Sequence, residues 1–131
     1  MAVTSTDLLK VAKGCLDQEC EAGYRSSISR AYYAMFHHTL ACLEHVPHYS
    51  SNHHSNLIGY MISKAENKHE PFDSSQLKIL GYNLKQQRDA RNEADYELIN
   101  VTVSEAMAIH SFSAAKNYFQ KWADLQASKA S

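Results

Sequence analysis

Apolar positions along the chain recur at intervals of three and four, and that rhythm predicts helices almost throughout. The first runs from about Thr6 to Glu21, with Leu8, Val11, Ala12 and Cys15 on one face and a break near Gly23. The second, about Tyr24 to His45, carries two stripes. One holds Ile28, Ala31, Tyr32, Met35, Thr39 and Cys42; the other holds Tyr33, Phe36, Leu40 and Leu43. A helix apolar over so wide an arc has to be covered on two sides. It ends before Pro47, and VPHYSSN reads as a loop.

A third, shorter helix from about His53 to Asn67 shows Leu57, Ile58, Met61, Ile62 and Ala65 at helical spacing. HEPFD then breaks the chain, and Asp73 with Gln76 resembles a capping box that opens a fourth helix. Its stripe of Leu77, Leu80, Leu84, Gln87, Arg91, Ala94 and Leu98 alternates steps of three and four, the rhythm of a helix-packing seam. The β-branched INVTV interrupts it. Thr102 with Glu105 forms a second box for a last helix to about Ala127, burying Ala108, Phe112, Ala115, Phe119 and Trp122, and the polar QASKAS tail is expected to fray.

Glycine and proline are sparse, and no run alternates cleanly, so strands have little support. The pattern therefore predicts an all-α, single-domain, up-and-down bundle of about five helices spanning residues 1–131, with its core from about residue 5 to 127. A length of 131 residues supports one core. No apolar run reaches the length of a membrane span, and MAVTSTDLLKVAKG lacks a basic start followed by an apolar stretch, so the expected setting is cytoplasmic. Cys15, Cys20 and Cys42 fit reduced thiols buried in such a core.

A formal net charge of −1 argues against a broad electrostatic nucleic-acid surface, so any phosphate site has to be local. The seam of the fourth helix offers one. Gln87 and Arg91 occupy positions where a plain bundle would place apolar side chains, and a buried guanidinium needs a partner. Asp95, four residues on, can supply it on the same helix. Asn92 and Tyr96, also four apart, form an adjacent face, with Arg88 one turn earlier. Two readings stay open on spacing: Arg91 reaches from the seam edge to a structural partner, Asp95, or its planar fork binds a phosphate.

Arg30, Tyr33 and His37 line up on the second helix at i, i+3 and i+7. They read either as core and edge residues, or as one wall of a polar pocket completed by Arg91, where His37 would move a proton. The eight histidines raise the question of metal binding. His37 and His38 diverge on a helix, as do His53 and His54, and no HExxH or cysteine-rich set exists, so no metal site is predicted. No phosphate-loop or G-x-S-x-G motif occurs, Cys42 lies on a core stripe, and no cofactor is expected.

SSISRAYYAMFHHTLACLE, Ser26 to Glu44, followed by RNEADYEL, Arg91 to Leu98, and a closing helix rich in alanine and aromatics, resembles the HEPN superfamily. The likeness is to the small stand-alone prokaryotic members, with patterns near S-R-A-Y-Y-A-x-F-H and R-x-x-A-D-Y, and it covers about residues 5 to 123. It implies a helical bundle, usually a homodimer, with the polar motif in a cleft at or near the subunit interface. It also implies RNA or nucleotide binding, or RNA cleavage, often in toxin–antitoxin or anti-phage systems. A protein partner such as a nucleotidyltransferase antitoxin belongs to that setting.

Active members carry arginine, four to six residues, then histidine, often with a polar residue directly after the arginine. Arg91 and Asn92 match the start of that motif, and Tyr96 stands where the histidine would be. Metal-independent cleavage needs a proton-transfer group near neutral pKa and a cation for the phosphorane. Arg91 meets the second need; a phenol with a reference pKa of about 10 meets the first poorly. The resemblance thus implies a dimer that binds a protein partner, or RNA or nucleotide phosphate, at Arg91 with Arg88 and Arg30. The alternative it leaves is a metal-independent endoribonuclease using Arg91 with His37 or Tyr96.

Overall fold

In the computed structural model, which describes residues 3–129, the chain is all-α. The described residues form six helices and no strand: α1 (Ser5–Leu16), α2 (Glu21–Cys42), α3 (His53–Ile62), α4 (Lys64–Asn67), α5 (Ser74–Tyr96) and α6 (Glu105–Ser128). None is long and apolar enough to cross a membrane.

Local chemistry sets the helix ends. Thr4 opens α1 with a reciprocal capping box: Asp7 N–H donates to Thr4 Oγ1, and Thr4 N–H donates to Asp7 Oδ2. Asp73 accepts from Gln76 N–H at 3.0 Å and opens α5. The last helix starts later than the Thr102 box predicts. Its N-cap is Ser104, whose Oγ accepts from Met107 N–H, because Val103 is drawn into the core and brings Ser104 to the helix mouth.

The break expected at Gly23 falls earlier, over residues 17–20, and Gly23 lies inside α2. A Cβ there would meet Cys15 O at 2.6 Å, so the absence of a side chain is what lets α1 and α2 cross closely. The third predicted helix is two pieces. Ser63 adopts an extended backbone, and the single turn α4 follows, anchored by Asn67, which donates to Met61 O and accepts from Ser74 Oγ.

Cross-helix contacts give the topology. Ser27 meets Ala12 and Ser5 meets His38, so α1 and α2 are antiparallel. Arg25 meets Ala94 and Tyr33 meets Arg91, which makes α5 antiparallel to α2. Tyr24 meets Glu105 and Thr39 meets Tyr118, so α6 runs parallel to α2. These four helices form the up-and-down frame with α2 at its centre. Helix α3 lies across α5 in the opposite sense, with Ser55 near Arg88 and Ile62 near Gly81. It therefore runs parallel to α2, and residues 43–52 carry the chain back along the bundle.

Buried Glu70 pins that return segment. Its carboxylate accepts from the Glu44 and His45 amides, each at 2.8 Å, and from Tyr60 Oη at 2.6 Å. The first stripe of α2 is wholly buried, and Trp122, Tyr32, Tyr60 and Tyr118 are the largest enclosed side chains. Each contributes roughly 1.5–3 kcal/mol of apolar burial.

Several predicted core positions face solvent. Val11 and Leu40 are exposed, and so is Leu98, which lies past the end of α5. Ala65 is exposed on α4, and Phe112 and Phe119 are half-buried. Of the cysteines only Cys42 is buried; Cys15 is half-buried and Cys20 is exposed at the N-cap of α2. The tail is helical through Ser128 rather than frayed from Gln126, while Ala130 and Ser131 lie outside the described residues.

Candidate functional site

The polar end of the α5 seam packs against α2 as a charged pocket lined with rings. Arg91 is 7% exposed, and its guanidinium carbon lies 5.5, 5.3 and 5.8 Å from the ring centroids of Tyr32, Tyr33 and Tyr96. Ring faces stabilise a buried cation without neutralising it. Nη1 donates to Tyr96 Oη at 3.3 Å and stands 3.7 Å from Asp95 Oδ2. Asp95 also accepts from Ser29 Oγ at 3.2 Å, which divides the carboxylate between two helices.

That leaves the fork incompletely used. Arg91 Nε is buried with no partner among the described residues, and so is Arg88 Nε one turn earlier. Arg88 spends Nη1 on Ser55 Oγ at 3.0 Å. A guanidinium brings five donors, and a single half-exposed carboxylate cannot satisfy two such groups. Two guanidinium groups on successive turns of one helix with a single carboxylate near them leave an excess of positive charge that favours an anion.

The structure thus brings together Arg88, Arg91, Asp95, Tyr96 and Tyr33. It does not bring in Arg30, which is exposed, or Asn92, which is half-buried on the neighbouring face; among the described residues neither side chain makes a hydrogen bond. His37 is exposed and makes no hydrogen bond with Arg91. Its ring stacks on Tyr33 at 6.5 Å and meets Phe36 edge-on at 5.2 Å.

The histidine on which the charges of Arg91 and Arg88 act is His54, at the start of α3. Its Nδ1 is 2.6 Å from Tyr32 Oη, and its ring lies 4.2 Å from Phe36 and 5.9 Å from Tyr33. Burial, then the charges of Arg91 and Arg88, push its pKa down to about 4, so the ring is neutral at physiological pH. Burial likewise holds the Tyr32 phenol above its ordinary range. His54 is legible in the sequence: with Leu57, Ile58 and Met61 it forms an i, i+3, i+4, i+7 stripe, which places it on the buried face of α3.

Beside this cluster opens a cleft of about 610 Å³ between α2, the return segment and α3. Tyr33, Phe36, His37, Tyr49, His53 and His54 supply its aromatic walls. Although several histidines line it, no three His, Cys, Asp or Glu among the described residues are grouped to hold a metal ion.

A second buried arginine, unforeseen in the sequence, fixes the far end of α5. Arg25 donates to the carbonyls of Ala94 at 2.8 Å, Glu97 at 3.3 Å and Val101, and it pairs with Glu21 at 3.0 Å. Glu21 accepts in turn from Val103 N–H at 2.8 Å. This network sets where Asp95 and Tyr96 sit relative to Arg91.

No family model matches the chain, and neither a curated protein nor a solved structure matches it.

Proposed function

We propose that the chain is a HEPN-like helical module that binds the phosphate of an RNA or a nucleotide at Arg88 and Arg91, as a homodimer, without efficient cleavage. The observation that carries this reading is a pair of arginines on successive turns of α5 with one carboxylate between them: Asp95 stands 3.7 Å from Arg91 and is shared with Ser29, while Arg88 has no carboxylate partner among the described residues. The S-R-A-Y-Y-A-x-F-H and R-x-x-A-D-Y patterns add support, since they place Tyr32, Tyr33, Arg91, Asp95 and Tyr96 in one cluster.

Binding suits the site better than cutting. Arg91 is enclosed by rings, Tyr96 is a phenol, and the close histidine is held neutral by burial and the charges of Arg91 and Arg88. The toxin–antitoxin or anti-phage setting, with a nucleotidyltransferase-type partner, belongs to the same proposal and rests on the sequence resemblance. One contact favours the ribonuclease alternative: Tyr96 Oη against Arg91 Nη1 puts an ionisable group beside the cation.

Fluorescence anisotropy with a short single-stranded RNA, together with a gel assay of the same RNA, separates the readings. The binding reading expects affinity that falls with salt, a loss of at least about tenfold in Arg91→Ala and Arg88→Ala, and background cleavage throughout. Arg91→Lys keeps the charge and guards against misfolding; it should recover only part of the loss. Cleavage by the wild type that vanishes in Tyr96→Phe or Arg91→Ala would establish the nuclease instead. Unchanged affinity in every arginine variant would remove the phosphate site.

A further inference from the structure

We infer that the cleft beside the arginines is a nucleobase site in which His54 reads the base through a neutral Nε2–H donor fixed by Tyr32. This inference rests on the phosphate reading of Arg88 and Arg91 and names what lies beyond the phosphate.

The tautomer follows from burial. Tyr32 is 1% exposed, and His54 Nδ1 is the partner of its hydroxyl. The hydroxyl has no other partner among the described residues, so donation to Nδ1 is the arrangement that leaves no buried O–H unpaired; the single proton of a neutral ring is then carried on Nε2. Nε2 has no hydrogen-bond partner among the described residues, yet it is not among the enclosed unpaired nitrogens. Since His54 lines the cleft, Nε2 presents its N–H there. The adjacent arginine charges and burial disfavour a second proton, so the donor stays uncharged.

The cleft walls fit a flat ring. Tyr33 and Phe36 offer π-surfaces, and His37 and His53 edge the opening. At about 610 Å³ the space lies within the range of small-ligand pockets. Stacking on such side chains holds any base, and one uncharged donor supplies a contact to a base carbonyl or ring nitrogen. A phosphate, by contrast, is drawn to the arginines, which lie behind Tyr33 and next to His54: Arg91 is 5.3 Å from the Tyr33 ring, and Arg88 bonds Ser55. Base and phosphate thus have separate receptors with a shared wall.

The test compares adenosine 5′-monophosphate, uridine 5′-monophosphate and ribose 5-phosphate, using calorimetry and the ¹⁵N signals of the histidine rings. His54 should show the Nε2–H tautomer, its Nε2 should shift with either nucleotide and not with ribose 5-phosphate, and the nucleotides should bind about tenfold more tightly. His54→Leu should bring nucleotide affinity down to that of ribose 5-phosphate while leaving ribose 5-phosphate binding unchanged; His54→Gln, which keeps a donor, should retain part of the preference. Equal affinity for all three compounds with an unmoved His54 would overturn the base site and leave the phosphate site standing. No binding of any of them would remove the phosphate site and the base site with it. An Nδ1–H tautomer in the free protein would overturn the role given to Tyr32.

Discussion

Tyr32 on α2 and His54 on α3 are joined by a 2.6 Å hydrogen bond across the return segment, and burial with the charges of Arg91 and Arg88 keeps the His54 ring neutral at physiological pH. Its folded pKa of about 4 lies below the ordinary 6.5, so the unfolded chain binds the extra proton first as pH falls. The stability that His54 contributes is therefore complete above about pH 6.5 and is lost as pH drops through about 4. His54→Phe retains the stack on Phe36 and removes the titration. Urea unfolding should show wild type losing on the order of 1 kcal/mol more than this variant between pH 7 and pH 4.5, a figure reduced for solvent screening. His38, lowered by burial, adds the same slope to both proteins. Equal slopes would show that His54 does not carry the effect.

How far such features are legible in the sequence depends on whether they are periodic. The α2 stripe and the α5 seam through Ala94 are buried as their spacing predicts, because each repeats over several turns. The Arg91–Asp95 pair is a local i, i+4 relation and is equally readable. Leu98 continues the seam in spacing only. The helix stops at Tyr96, where Arg25 collects the carbonyls of Ala94, Glu97 and Val101, and a contact across 69 or more positions leaves no periodic trace. His37 and His54 exchange places for a related reason. Spacing puts His37 on one line with Tyr33, but it does not reveal that α3 returns alongside α2 and delivers His54 to the arginines.

Arg25 is expected to matter more than its place in a helix opening would imply. Truncation to alanine strands the buried Ala94 carbonyl and the part-buried carbonyls of Glu97 and Val101, and it leaves a space where the guanidinium lay. A loss of about 3 kcal/mol is expected in urea unfolding, because what remains is unpaired rather than merely unbonded. Arg25→Lys cannot reach all the acceptors at once and should recover less than half of it. Amide exchange over residues 97–104 should accelerate in both variants; protection there equal to wild type would contradict the anchoring role.

Two helical glycines should respond in opposite directions to the same change. A Cβ added at Gly14 in α1 would have nothing within 4 Å, so Gly14→Ala gains helix propensity at no steric cost and should stabilise by about 0.5–1 kcal/mol. In Gly23→Ala the methyl would meet the Cys15 carbonyl at 2.6 Å, and backbone cannot swing aside as a side-chain tip can. Separation of α1 from α2 should cost about 2 kcal/mol, outweighing the propensity gain. Thermal melts of the two variants should shift to either side of wild type, and a stabilised Gly23→Ala would refute the close crossing.

Tyr96, Leu98 and Ile99 cluster at the end of α5 with exposures of 71%, 68% and 96%. Apolar side chains this open, next to Arg91, are where the proposed homodimer would bury surface, and Tyr96 would be covered together with its contact to the guanidinium. Sedimentation of the wild type at micromolar concentration should then give twice 14.8 kDa. Leu98→Glu and Ile99→Glu should each raise the dimer dissociation constant by about a hundredfold, since each sets a charge at the centre of an apolar contact. Because neither side chain supports the core, both variants should melt close to the monomer limit of the wild type. A wild-type monomer would separate the phosphate site from any need for a second copy; a dimer indifferent to both substitutions would move the interface to another face of the bundle.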